Sequence, residues 1–110
     1  MEIQKNLDGS NLTVKLKGRL DAVTAIELDK DLTKSLDGIK NLTLDFANLE
    51  YIASAGLRIM LKLQKKMNTQ GYMKIININR EVREVLDMTG FSRLLSIEEP
   101  ATSKKLSFNF

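Results

Sequence analysis

The order of periodic segments predicts an α/β fold: a mixed sheet of four to five strands with helices packed on one face. Three observations carry this. The strand-like segments alternate apolar and polar residues, so each has one buried face. Segments of helical period stand between them, and strand–helix–strand units place parallel neighbours together through right-handed crossovers. A parallel sheet covered on both faces would read apolar throughout, so the second face is expected to be at least partly wet.

Leu12, Val14 and Leu16 alternate with Thr13, Lys15 and Lys17, a period of two. The turn chemistry of Asp8-Gly9-Ser10-Asn11 predicts a hairpin that pairs this strand with Glu2–Leu7. Gly18 is expected to end the strand. Asp21 then precedes a helix with Ala22, Ala25, Leu28, Leu32 and Leu36 on one side. Its carboxylate suits an N-cap, because it can accept a free backbone N–H. Asp29 falls inside the apolar stripe, and Gly38 is the expected C-cap.

Leu42, Leu44 and Phe46 alternate with Thr43 and Asp45 in the next strand, followed by an expected loop over Ala47–Ile52. A helix is predicted from about Ser54 to Asn68, a turn at Gln70-Gly71, and a strand over Met73–Ile78. Glu81–Met88 reads as a short helix stopped by Thr89-Gly90, and Leu94–Ile97 as an edge strand. From Pro100 a tail is expected, with Leu106 to Phe110 left unassigned. The whole reads β-β-α-β-α-β-α-β, as one domain over 110 residues.

Composition excludes several classes. There is no cysteine, so disulfides and thiolate metal sites are out. There is no histidine, so neither a histidine-based triad nor a histidine-ligated zinc site can form. No catalytic residue, metal or cofactor is expected. Net charge is only +3, from 17 basic and 14 acidic residues, with two Tyr and four Phe. That is a poor basis for binding nucleic acid. The first residues show no basic patch followed by an apolar run, and no apolar segment approaches the roughly 18 residues that span a bilayer. A soluble, cytoplasmic protein without membrane insertion is expected.

The informative stretch runs from Asp45 to Arg58: a strand delivers the chain to a loop, and small residues open the next helix. In open α/β sheets, binding sites gather at the carboxyl ends of strands. Ser54 stands at, or one residue from, the helix N-cap. It is either a plain cap, worth roughly 1 kcal/mol, or a phosphorylation site. A helix N-terminus tolerates phosphate, and the added charge of about −1.5 to −2 would repel a partner. Ala55 and Gly56 either permit tight packing of helix on strand or keep Ser54 accessible to another protein's active site. A nucleophilic Ser54 would need a base, and the lysines nearest in sequence lie on the expected solvent face.

Along the same helix, Arg58, Lys62, Lys65 and Lys66 fall on one side, and Leu57, Ile59, Met60, Leu61, Leu63 and Met67 occupy the rest. Such a stripe is either a solvated face or a docking surface for an acidic partner.

The run Tyr51-Ile52-Ala53-Ser54-Ala55-Gly56-Leu57-Arg58 resembles the signature of STAS domains of the anti-sigma factor antagonist type. Gly18-Arg19-Leu20-Asp21-Ala22-Val23-Thr24 resembles that family's first motif, and Asp87-Met88-Thr89-Gly90-Phe91 its third. The resemblance covers residues from about 2 to 99 and implies partner switching. A serine-kinase anti-sigma factor is bound by the unphosphorylated antagonist, which frees the sigma factor; phosphorylation blocks binding and a phosphatase resets it. The phosphorylated serine maps to Ser54, with Asp21 and Thr24 of the first motif, Ala53, Ala55 and Gly56 beside it. Partner binding is assigned to Leu57, Arg58, Lys62 and Lys65. The chain departs from many phosphorylated members, which carry Asp or Ser where it has Ala53, and often Ser or Thr where it has Ala55. The alternative is an unswitched STAS subunit serving as a structural piece of a larger complex such as a lipid transporter.

Overall fold

The computed structural model describes residues 1–98. The tail expected from Pro100 lies outside the described residues. Four strands, β1 (Glu2–Asp8), β2 (Asn11–Leu20), β3 (Asn41–Ile52) and β4 (Tyr72–Ile76), form one sheet in the order β1-β2-β3-β4. β1 and β2 are an antiparallel hairpin; β2–β3 and β3–β4 are parallel. Helices α1 (Ala22–Ser35) and α2 (Ser54–Asn68) make the two crossovers, and α3 (Arg80–Thr89) follows β4. Among the described residues, no helix is long and apolar enough to cross a membrane.

The alternation does what period two requires. Leu12, Val14, Leu16 and Leu20 of β2 are buried, whereas Lys15, Lys17 and Arg19 are exposed on the other face. Ala25, Leu28 and Leu32 of α1, Leu57, Met60 and Leu63 of α2, and Val82 and Leu86 of α3 join one core with the inward residues of β2 to β4. Lys5 of β1 reaches the Asp31 carboxylate and the Ser35 hydroxyl of α1, tying the edge strand to the helical layer.

Two boundaries differ from expectation for one reason. β2 continues through Gly18 to Leu20, and β3 continues through the expected loop Ala47–Ile52. Lys15 pairs Asp45 but Lys17 pairs Asn48; Gly18 pairs Leu49 but Arg19 pairs Tyr51. At each step β3 holds one extra residue, a bulge, which is rare between parallel strands. The buried positions become Phe46, Leu49 and Ile52, spaced by three. A spacing of three hides a strand from any search for period two. Gly18 sits inside β2 with φ +109 at one of these irregularities, a backbone that residues with a Cβ rarely adopt, so it bends the strand instead of ending it.

Smaller shifts have local causes. α1 ends at Ser35 with Leu36 as C-cap, ahead of Gly38. The Gln70 side-chain amide donates to the carbonyls of Leu36 and Ile39 at 2.7 Å each, so the helix end is satisfied before the glycine. β4 stops at Ile76 because Asn77 turns to φ +57 and Asn79 caps α3. Gly90 follows α3 as its C-cap, as expected. In place of the expected edge strand Leu94–Ile97, the segment follows a 3-10 turn (Phe91–Arg93) and makes one parallel bridge, Ile75 with Ile97. The Ser96 N–H is taken by the side-chain oxygen of buried Gln64 at 3.1 Å, so the ladder does not extend there.

Candidate functional site

β2 and β3 are parallel neighbours, and their last residues, Leu20 and Ile52, are register partners. Each strand passes through a single residue, Asp21 or Ala53, into a helix. The Ala53 N–H donates to the Leu20 carbonyl at 2.9 Å. The N-termini of α1 and α2 therefore emerge side by side at the carboxyl end of the sheet.

The two junctions share a backbone and differ in chemistry. Asp21 (φ −108, ψ −168) accepts from the N–H groups of Val23 and Thr24, at 3.0 Å each. The Thr24 hydroxyl accepts from the Asp21 N–H at 2.9 Å and donates to the Arg19 carbonyl at 2.7 Å. This is a reciprocal capping box. The Thr24 backbone N–H, then the Thr24 hydroxyl, hold the Asp21 carboxyl below its ordinary value by favouring the charged form. Ala53 (φ −98, ψ 172) has the same extended conformation, but no side chain caps α2.

Ser54 is the first residue of α2, and it is exposed. Its hydroxyl has no hydrogen-bond partner among the described residues. The first amides of a helix have no intrahelical acceptor and carry the positive end of its dipole. At α2 no side chain accepts from them, and the Ser54 hydroxyl beside them is unbonded.

Gly56 explains how α2 starts so close to the sheet. A Cβ there would come within 2.8 Å of Leu20 Cγ and 2.9 Å of Ile52 Cγ1. Its packing reason is therefore geometric. Ala55 is half-buried beside it.

Among the residues assigned to partner binding, Leu57 is corrected. It is only 3% exposed, on the core side of α2 with Met60 and Gln64, one and two turns on. A side chain at that position packs the helix onto the sheet and offers nothing to a partner. Arg58, Lys62 and Lys65 are exposed. Lys62 donates to both carboxylate oxygens of Asp29, at 2.9 and 3.0 Å, joining α2 to α1. That pair accounts for Asp29 inside the apolar stripe: it sits on the flank of α1 that meets α2.

Three features had no counterpart in the sequence reading. The Arg19 guanidinium lies 4.3 Å from the Tyr51 ring centroid, bridging the ends of β2 and β3. Asn79 caps α3 and also donates to the Leu49 carbonyl at 2.8 Å, holding the bulged half of β3. Val23 and Ile26 of α1 are 68% and 58% exposed. Their signal was available, since both lie off the Ala25, Leu28, Leu32 stripe. The third motif lies at the far end of α3: Asp87 holds the Ser92 hydroxyl and the Arg83 guanidinium, which lower its carboxyl and brace the Gly90 turn. Among the described residues, no group of three or more carboxylates could hold a metal ion.

This arrangement, a bulged parallel pair feeding two helix N-termini under one helical layer, defines a STAS-type module. The chain belongs to the STAS domain family, whose model matches residues 2–104. It is 35% identical over 101 residues to BtrV of Bordetella bronchiseptica, a candidate anti-sigma factor antagonist, covering 90% of this chain and 84% of that one. In fold it is similar to the anti-sigma factor antagonist SpoIIAA in its unphosphorylated form, with TM-score 0.76 and 14% identity over 99% of this chain and 98% of that one. The phosphorylated form of SpoIIAA, from Bacillus, superposes with TM-score 0.69 and 14% identity over 96% of this chain and 99% of that one.

Proposed function

We propose that this chain is an anti-sigma factor antagonist. Unphosphorylated, it binds a serine-kinase anti-sigma factor in the cytoplasm and releases the sigma factor. Phosphorylation of Ser54 ends that binding, and a phosphatase restores it. The observation that carries the reading is the exposed, unbonded Ser54 hydroxyl on a helix N-terminus that no side chain caps. The names of its relatives point the same way.

The chemistry is consistent with a switch that alters the surface and spares the fold. A phosphate on Ser54 brings about −1.5 to −2 charges and three acceptor oxygens. The free amides of the first turn can receive them, and Arg58 stands one helical turn further along. The charge is thus stabilised where it sits, while the partner meets a surface altered in charge and shape. Arg58 and Lys65 supply the basic side of that surface, which suits an acidic partner face.

The second reading, a fixed STAS subunit in a larger assembly, draws on Ala53 and Ala55, which give a kinase no polar group beside Ser54. Phosphopeptide mass spectrometry on the protein from its own host, in growth and in stress, separates the two. Phosphate on Ser54 that changes with condition supports the switch. A bare Ser54 throughout, with a stable complex co-purifying, supports the fixed subunit.

A further inference from the structure

The two edges of the sheet are finished differently. At β4 the Ile75 N–H donates to the Ser96 carbonyl and the Ile75 carbonyl accepts from the Glu98 N–H, both at 2.9 Å, so the segment after α3 covers that edge. Among the described residues, β1 pairs with β2 alone. Its hairpin fixes which backbone groups are left over. Gly9 (φ +62) and Ser10 make a two-residue turn with glycine first, the II′ arrangement, which closes on the hydrogen-bonded pair Asp8–Asn11. Such pairs alternate along an antiparallel ladder. Asn6, Gln4 and Glu2 therefore bond to β2, while Ile3, Lys5 and Leu7 turn their N–H and C=O groups outward.

An open edge is a template for another strand unless something blocks it, and an inward-pointing lysine is a common block. Lys5 has that position. Its ammonium is held by Asp31 and Ser35 of its own chain, so its charge is satisfied within the protomer. Leu7, at the same edge, is 63% exposed, so α1 does not roof it. A second, antiparallel copy of β1 fits this edge in one register. Setting Ile3 opposite Lys5 of the second copy builds every hydrogen-bonded pair from outward-turned residues. On the wet face Gln4 then meets Gln4 at the two-fold axis, and Glu2 meets Asn6. On the helical face Leu7 meets Met1. No like charges stand directly opposite. Sliding the copy by two residues one way sets Lys5 on Lys5 and Glu2 on Asp8, which destabilises a ladder. Sliding it the other way leaves only Met1 to Lys5 paired.

We propose that β1 is a self-association edge: two copies of this chain join their sheets through antiparallel β1 strands, Gln4 against Gln4 and Ile3 against Lys5. The helical layers then lie on the same side of one continuous sheet. β2 and α1 stand between the seam and α2, so the dimer presents both Ser54 hydroxyls. The seam is a single strand long, so the association belongs to the weak class. The inference does not rest on the antagonist reading.

The test is sedimentation equilibrium of the full chain from about 10 μM to 1 mM, a span that brackets weak association. The parent should pass from monomer to dimer. Gln4→Lys sets like charges at the two-fold axis and should weaken the dimer by about fivefold. Gln4→Glu should weaken it less, because Lys15 stands opposite Gln4 on β2. Mixed in equal amounts, the two variants should associate again, since opposite charges then face each other. Tyr72→Ala, an exposed control on β4, should leave the dimer unchanged. Gln4 is exposed, so both Gln4 variants should still melt cooperatively. Amide exchange at Ile3, Lys5 and Leu7 should slow as the parent is concentrated. A parent that stays monomeric to the top of the range overturns the proposal. So does a dimer that both Gln4 variants leave intact, a mixture that fails to recover, or a dimer whose Ile3, Lys5 and Leu7 amides exchange as in the monomer. None of these variants touches Ser54, so the antagonist reading stands or falls separately.

Discussion

α1 and α2 begin in the same way and are finished differently. Both follow parallel strands whose last residues are paired, and both turn on one extended residue. At α1 that residue is Asp21, and with Thr24 it consumes the local donors and acceptors. At α2 it is Ala53, whose side chain can accept nothing, and Ser54 beside it keeps a free hydroxyl. The difference shows how neighbouring positions of one fold divide their work. A capped N-terminus is stable and chemically closed; an uncapped one gives up about 1 kcal/mol and leaves its first-turn amides without a side-chain acceptor. Four substitutions test this comparison.

The largest effect should come from the seat of α2. Gly56→Val places side-chain atoms into Leu20 and Ile52, which are core residues. Overpacking of this kind should cost about 3 kcal/mol, read as a lower urea midpoint with an unchanged slope. A stability equal to the parent would mean that α2 can lift from the sheet freely.

Asp21→Ala should destabilise the fold by removing the capping box, though less than Gly56→Val does. The sign of its pH dependence follows from the lowered carboxyl. A depressed acid stabilises the fold fully above its unfolded value, near 4, and loses that contribution as pH falls through its lower folded value. The gap between the parent and Asp21→Ala should therefore be full at neutral pH and shrink as pH falls below about 4. Denaturant melts across that range check it; a gap that widens on acidification would contradict the assignment.

Ala53→Asp should work in the opposite direction. The backbone there already has the N-cap conformation, within 20° of that at Asp21. A carboxylate should raise stability by about 1 kcal/mol. No gain would show that the first-turn amides of α2 are already satisfied, and the contrast between the helices would lose its basis.

Ser54→Asp should have the smallest effect on folding, a gain of about 0.5 kcal/mol from a negative charge at a helix N-terminus. Its effect on the anti-sigma factor should be far larger than its effect on the melt. A variant that unfolds would sink the view that the switch spares the fold.

Much of this site could be read from residues in their local order. Asp21 as a cap, Ser54 at the head of α2, and Arg58 and Lys65 on its outer face each depend on the few residues around them. Other parts escaped for a stated reason. The bulges at Asp45–Asn48 and Leu49–Tyr51 lengthen the repeat to three, so the second half of β3 looked like a loop. Asp29 looked like a flaw in its helix until Lys62, 33 residues away, was beside it. Leu57 adjoins Arg58 in sequence, yet its helical period already puts it on the apolar side, and its burial takes it out of the partner-binding set.

What local order settled is what local forces govern: the periods of two and 3.6, the capping chemistry, the absence of histidine and cysteine, and the small residues around Ser54. Tertiary contacts settled whatever needs a partner from elsewhere in the chain. Pairing with β2 keeps β3 a strand through its bulges, and Leu20 and Ile52 leave room only for Gly56. The meeting of α1 and α2 pairs Asp29 with Lys62. A side chain's neighbours in space are set by strand register and helix packing, and neither can be computed from a single segment.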